Sequence, residues 1–296
     1  MANTIASNLI GQVVSDLVFQ AFHDTLVPLT GFATDFGGEL AQGNKSVGVP
    51  VYAAKSSTNF AGDYTTNPDS TANEVVVTVD KHKFATVHIS DTEAANSKAA
   101  NLMNMAVQAG QGLALDVMQD ILSVVLNANF SSKVTKAAAS FTSDTVVDIK
   151  TEADGNKMSQ VGRSLILADG HYNALLKDTA IKNASNYGSE VAIQSGYIAN
   201  LVGFRTFQSS AVPANGENLV GLAAVPSAIA IAMRYLIPQA PEAYLTTQRL
   251  QHPETGIVLG MREFAEPKSG KRYLVFECNY GYKTGQSAGL TRLVSA

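Results

Sequence analysis

The chain has 296 residues, 46% of them hydrophobic and 16% charged, enough apolar material for a substantial core in one or two globular domains. Its 21 Lys and Arg against 25 Asp and Glu give a formal net charge of −4, a balance that does not favour tight, non-specific binding to a nucleic-acid backbone. One cysteine, Cys278, excludes an intrachain disulfide framework and is expected as a small buried apolar residue.

In chain order, Ile5, Leu9, Val13 and Leu17, with Ile10, Val14, Val18 and Phe22 beside them, form a broad helical face that ends before Pro28. They predict an N-terminal helix or arm. The stretch lacks a basic n-region and carries Asp16 inside its apolar run, so it does not read as a signal peptide. No uninterrupted apolar run reaches the length of a bilayer span, and no membrane partner is expected. Gly31, Gly37, Gly38 and Gly43 then break the chain into an irregular connection.

Residues 46–52 alternate valine with small or polar residues, the pattern of a strand. Residues 74–89 alternate over a longer run, with Val75, Val77 and Val79 on one side and Val76, Thr78 and Asp80 on the other. Between them lie residues 55–73, rich in Ser, Thr, Asn, Asp and Gly, too polar for a core and too long for a tight turn. The expectation is a projecting hairpin. A two-stranded ribbon is marginal alone in water, so its support is expected from a neighbouring copy.

Residues 90–129 predict one unusually long helix, roughly 50 Å along its axis. Ser90 and Glu93 stand in capping-box spacing at its start. Leu102, Ala106, Ala109, Leu113, Val117, Ile121 and Val124 follow at steps of three or four, and Asn127 and Asn129 supply the stop. Gly110 and Gly112, each costing about 1 kcal/mol in mid-helix, imply a close backbone approach or a bend.

Residues 131–143 form a small, polar connector, and a short helix runs from Asp144 towards Asp154 with Gly155 just beyond. Residues 164–168 predict a strand, Asp169 and Gly170 its turn, and 171–177 a helix. Residues 219–224 predict another strand. Ser227, following Pro226, is expected to cap a helix carrying Ile229, Ile231, Ala232, Met233 and Tyr235. Residues 257–264 and 272–280 flank a turn containing Pro267, Ser269 and Gly270 and should pair as a hairpin. Strands and helices are interleaved too irregularly for a doubly wound sheet, which leaves an α+β class.

No residue is assigned a catalytic, cofactor-binding or metal-binding role, and the chain is expected not to be an enzyme. His82 and His88 fall on one side of a strand but about 20 Å apart, too far to share a metal. Asp169 and His171 could form an acid–base pair, yet a polar turn leading into a helix accounts for them as well. No nucleophile elbow, zinc-protease, dinucleotide or phosphate-loop motif occurs. Lys81, His82 and Lys83 read as a solvated part of the ribbon.

Ribbon, long helix and mixed region, in this order, resemble a tailed-bacteriophage (Caudoviricetes) major capsid protein. Four local stretches carry the likeness: SLILADGHYNALLKD (164–178), with its Tyr-x-x-Leu-Leu; GYIANLVGFRTFQSSAVP (196–213); VPSAIAIAMR (225–234), similar to a family helix; and REFAEPKSG (262–270), similar to the closing hairpin. The resemblance implies an N-terminal arm (1–44), an extended β-hairpin loop (45–89), a peripheral domain with a spine helix (90–133), an axial domain (134–245) and a return to the peripheral domain (246–296). It also implies hexamers and pentamers of this chain in an icosahedral virion shell, assembled in the host bacterial cytoplasm. The implied partners are portal and scaffolding proteins, a decoration protein and packaged double-stranded DNA, the last held weakly and non-specifically. The arm begins almost at Met1, which implies a separate scaffolding protein or a trimmed sequence. Some relatives crosslink a loop lysine to a neighbour; Lys55 lies in the corresponding stretch, with no matching asparagine or carboxylate identified. The rival readings are an encapsulin-like compartment shell and a soluble hydrolase without a recognisable motif.

Overall fold

Apolar side chains at four-residue steps dictate where the first helix sits. In a computed structural model, which describes residues 7–39, 44–52, 57–64, 72–96, 99–183, 196–252 and 255–296, α1 (Ser7–Leu26) buries Val14, Val18, Phe22 and Leu26 along one face. That face packs on a second helix. From Val14 onward the expected arm is therefore part of the main core.

The chain continues through β1 (Ala33–Asp35), β2 (Ser46–Tyr52), β3 (Ala72–Thr78) and β4 (Lys81–Ser90), then α2 (Asp91–Asn96) and α3 (Ala99–Leu122). After β5 (Lys133–Thr135) come α4 (Ser143–Gly155), β6 (Ser164–Leu167), α5 (Asp169–Lys177) and α6 (Thr179–Asn183). The remainder is strands: β7 (Asn200–Leu201), β8 (Phe204–Gln208), β9 (Leu219–Ala224), β10 (Ile229–Arg234), β11 (Thr246–Gln251), β12 (Val258–Glu266), β13 (Lys271–Thr284) and β14 (Leu290–Val294).

These strands form two six-stranded sheets and a separate ribbon. The first sheet runs β1-β10-β13-β12-β11, with β4 paired to the opposite side of β13 along residues 271–280. The second runs β5-β14-β9-β6-β8-β7. The ribbon is β2 paired antiparallel with β3. The first sheet packs under α1 and α3 in the main core, which includes Phe22, Val117, Ile121, Met261 and Phe276. Alternation along β6 splits the second sheet's faces: Ile166 enters the main core, while Leu165 and Leu167 join Phe141, Ile149, Tyr172 and Leu175 beneath α4 and α5.

Gly110 answers to α1. A Cβ at this position would stand 2.6 Å from Val18 Cγ1, so the two helices cross at a distance only glycine allows, whereas nothing lies within 4 Å of the corresponding point on Gly112. The predicted capping box forms: Ser90 N–H donates to Glu93 Oε2 at 2.9 Å, and Glu93 N–H donates to Ser90 Oγ at 3.3 Å. The Ser90 N–H and the Ser90 hydroxyl, which donates to the same Glu93 Oε2 at 2.8 Å, hold the exposed Glu93 carboxyl below its usual pKa.

Four expectations are corrected. The long helix is α2 and α3, with residues 97–98 outside the described residues, and it stops at Leu122 instead of Asn129. Asn215, from the loop before β9, donates its Nδ2 to the Leu122 and Val125 carbonyls at 3.0 and 2.9 Å, capping the helix end from a distance in sequence that no local pattern shows. The expected helix after Pro226 is β10. Its Ile229, Ile231 and Met233 alternate with Ala230 and Ala232 and both faces are buried, because β10 lies inside the first sheet with the root of the ribbon against its alanine face. A continuous apolar run of this length suits either element, and central position in a sheet decides it.

The third correction concerns residues 74–89, which are two strands. Only β3 pairs with β2, and after Val79 and Asp80 the chain enters the first sheet as β4. The hairpin accordingly pairs residues 46–52 with 72–78. Its root is supported within the subunit: Val47, Val49, Val77 and Val79 pack on Ala230 and Ala232. Gly281 lets the turn in, since a Cβ there would lie 1.9 Å from the Thr78 carbonyl oxygen. Lastly, Asp169 and Gly170 belong to the first turn of α5 and are not a separate turn.

Candidate assembly surfaces

The side chains that sequence reading weighed for chemistry are engaged in structure. His171 is buried, with its Nε2 3.1 Å from the Lys136 carbonyl oxygen and its ring edge-on to Phe141. Asp169 Oδ1 accepts from Gln208 Nε2 at 2.7 Å. The two face different partners. Cys278 is buried in the first sheet, where desolvation raises its thiol to about 12, far from a nucleophile's range. Among the described residues no group of three or more His, Cys, Asp or Glu could hold a metal ion, and no helix is long and apolar enough to cross a membrane. Lys55 lies outside the described residues.

Lys81, His82 and Lys83 are not merely solvated. Lys81 Nζ sits 3.2 Å from Asp120 Oδ2, Lys83 Nζ donates to the Asp116 carbonyl at 2.9 Å, and His82 Nε2 lies 3.1 Å from Glu277 Oε2. Lys81 and Lys83 tie β4 to α3. Asp120 stands near the C-terminal end of α3, where the helix dipole disfavours a carboxylate. Against its desolvation, donors from Tyr280 at 2.7 Å and from Lys81 hold its pKa below the usual range.

A second junction joins the segment after α3 to the other sheet. Arg292 on β14 is buried, with Nε donating to the Phe130 carbonyl at 2.7 Å, Nη2 to Asn127 Oδ1 at 2.7 Å, and Nη1 paired with Glu217. Glu217 also accepts the Asn127 N–H at 3.0 Å. A buried guanidinium with its donors met in this way fixes three chain segments together.

Other surfaces are left open. At the outer part of the hairpin, residues 57–64 are exposed, and Phe60 and Tyr64, 64% and 87% exposed, touch each other with ring centroids 4.7 Å apart. On the first sheet, Phe84 is 65% exposed on β4 and Met105 57% exposed on α3. A groove of about 490 Å³ is lined by Thr86, Val87 and His88 of β4, Glu93 of α2, and Asn104, Met105 and Gln108 of α3. Across the sheet a row of rings leads to this edge: Tyr244 to Phe264 (6.2 Å), Phe264 stacked on Tyr273 (5.0 Å), and Tyr273 to His88 (5.6 Å). Sequence reading overlooked the β4 surface. The alternation of His82, Phe84, Thr86 and His88 was its available signal, hidden by the assignment of residues 74–89 to one ribbon strand.

Searched by sequence, the chain matches no family model and no curated protein. Searched by structure, it is similar to the capsid structure of the cyanophage P-SCSP1u, with 16% identity over 90% of this chain and 86% of that one at a TM-score of 0.61. It is similar to a chain of the mature capsid of bacteriophage PhiM1, with 10% identity, 90% and 86% coverage and a TM-score of 0.57. A virus-like particle from Pyrococcus furiosus also matches, with 10% identity, 94% and 96% coverage and a TM-score of 0.54. At these identities the likeness is one of backbone architecture, and nearly the whole chain shares in it: the chain has the α+β fold of tailed-phage capsid subunits.

Proposed function

We propose that this chain is a shell-forming structural protein, the major capsid protein of a tailed bacteriophage, which assembles as hexamers and pentamers around double-stranded DNA. The observation that carries this reading is the fold match over 90% of the chain to two phage capsid subunits. A hairpin closed on its own subunit at the root but exposing paired aromatic rings further out adds support, because exposed rings of this kind mark interaction surfaces. In this reading α3 is the spine. The first sheet with α1 makes up the peripheral part, and the second sheet with α4 and α5 the axial part, so that β10 falls with the former and β14 with the latter.

The virion is then the site of action, with assembly in the bacterial cytoplasm, and portal, scaffolding and decoration proteins are the expected partners. A compartment shell is the second reading, favoured by the match to the Pyrococcus furiosus particle. Both predict closed particles in negative-stain micrographs of the expressed protein, alone or with its scaffolding protein. Nucleic acid content separates them, since only the phage reading expects packaged DNA. With a net charge of −4, isolated subunits should bind duplex DNA weakly, without sequence preference and with an affinity that falls with salt. Nanomolar, sequence-specific binding in an anisotropy titration would favour a dedicated DNA-binding protein instead.

A further inference from the structure

Strand β4 is ten residues long and lies at an edge of the first sheet, since among the described residues it pairs with β13 alone. Its polarity can be read from one bond. Asp91 N–H donates to the Gly270 carbonyl at 3.0 Å, so by the two-residue period of an antiparallel ladder the N–H and C=O groups of Lys81, Lys83, Ala85, Val87 and Ile89 face β13. Those of His82, Phe84, Thr86, His88 and Ser90 face outward. Ser90 N–H agrees, because Glu93 takes it. No hydrogen bond among the described residues occupies the outward groups of the other four.

Native sheet edges are blunted by proline, bulges, shortness or charged side chains. Among the described residues none of these protects this one: its pairing with β13 is continuous over residues 81–90, it contains no proline, and its two lysines are drawn inward by Asp120 and the Asp116 carbonyl. The exposed Phe84 and the apolar groove lining of Val87 and Met105 lie beside the open backbone groups. A strand laid here would meet unpaired donors, acceptors and apolar surface together.

We propose that this edge binds a second copy of the chain, whose own β4 pairs with it antiparallel across a two-fold axis at Thr86. The strand is complementary to itself. Lys81 is paired with Asp120, but Lys83, whose partner is an uncharged carbonyl, leaves the start basic, and the end runs into Asp91 and Glu93, so antiparallel pairing brings unlike charges together and parallel pairing brings like ones. With Thr86 opposite Thr86, each Phe84 stands opposite the partner's His88, and the row Tyr244, Phe264, Tyr273, His88 continues into the second copy. Residues 84, 86 and 88 then satisfy their outward groups mutually, and the contact is isologous, as a two-fold requires. The inference rests on the reading of the chain as a self-assembling shell subunit and names one contact of that assembly.

Single cysteines test the register in assembled protein. Opposed residues of a hydrogen-bonded pair have Cα atoms about 5.5 Å apart, within disulfide range, whereas two Phe84 positions would be separated by more than about 13 Å. Mild oxidation of Thr86→Cys particles should convert most chains to a covalent dimer on a non-reducing gel. Phe84→Cys should give none, and Phe84→Cys with His88→Cys should restore the dimer. Thr86→Pro, which removes an outward donor that the subunit does not use, should retain the subunit's thermal transition and lose assembly. Particles that form normally with Thr86→Pro, or that leave Thr86→Cys monomeric, overturn the proposed contact while leaving the shell reading intact. Failure of the unsubstituted protein to assemble counts instead against the shell reading.

Discussion

The two ends of the hairpin are made from one ribbon and meet opposite fates. At the root, Val47, Val49, Val77 and Val79 are buried against Ala230 and Ala232. Further out, Phe60 and Tyr64 touch each other yet stay largely exposed, as does Asp63 between them in sequence. The first is a folding contact, complete within one chain. The second gains nothing for an isolated subunit, since about 25 cal/mol per Å² of apolar area is realised only when that area leaves water. The difference separates contacts that should govern subunit stability from contacts that should govern association.

The sharpest test of the closed class is Arg292. Arg292→Ala leaves Asn127 Oδ1 and the Phe130 carbonyl without their guanidinium donor and the Glu217 carboxylate without its cationic partner, and should cost about 3–5 kcal/mol in urea unfolding of the unassembled subunit. A loss below about 1 kcal/mol would remove this junction from the folding contacts.

Asp35, beside the root, gives the next largest effect. Burial raises its carboxyl to about 6, against hydrogen bonds from the Gly37 and Met233 N–H groups that act to lower it. A folded-state pKa above the unfolded value means that the contribution is present below about pH 4 and lost as the pH rises through 6. Asp35→Asn, which keeps the acceptor, should therefore match the parent near pH 4 and exceed it by up to about 3 kcal/mol at pH 8. A difference between the two proteins that does not change with pH would contradict this.

How much of this was legible beforehand follows from how local each cause is. The capping box at Ser90 and Glu93, strand β9 and the β12–β13 hairpin rest on neighbours in sequence, and all three form as expected. The end of α3 is set by Asn215, about ninety residues away, and β10 is a strand because of what flanks it. Neither cause lies in its own stretch. Gly110 announced a close approach but not its partner, Val18. The open surface on β4 was missed because a two-residue period does not say where one strand stops and the next begins, and a break at Val79 and Asp80 moved the strand to another sheet.

Val77→Ala and a change at the hairpin's outer part bring the comparison to its smallest effects. Val77 is fully buried, so truncating it should cost about 2 kcal/mol in thermal or urea unfolding. Phe60→Ser with Tyr64→Ser should change subunit stability by less than about 0.5 kcal/mol while impairing assembly followed by light scattering. Replacing residues 55–73 by a short Gly-Ser turn should behave the same way. If that shortened chain lost its cooperative transition, the outer hairpin would belong to the core and the division drawn here would fail.

The central claim is that this fold exists to be repeated, and electron microscopy of the purified protein, expressed alone or with a candidate scaffolding protein, reads it directly. Closed, uniform particles with light scattering to match are the predicted result. Monomers alone, at every concentration and with the scaffolding protein present, would contradict it.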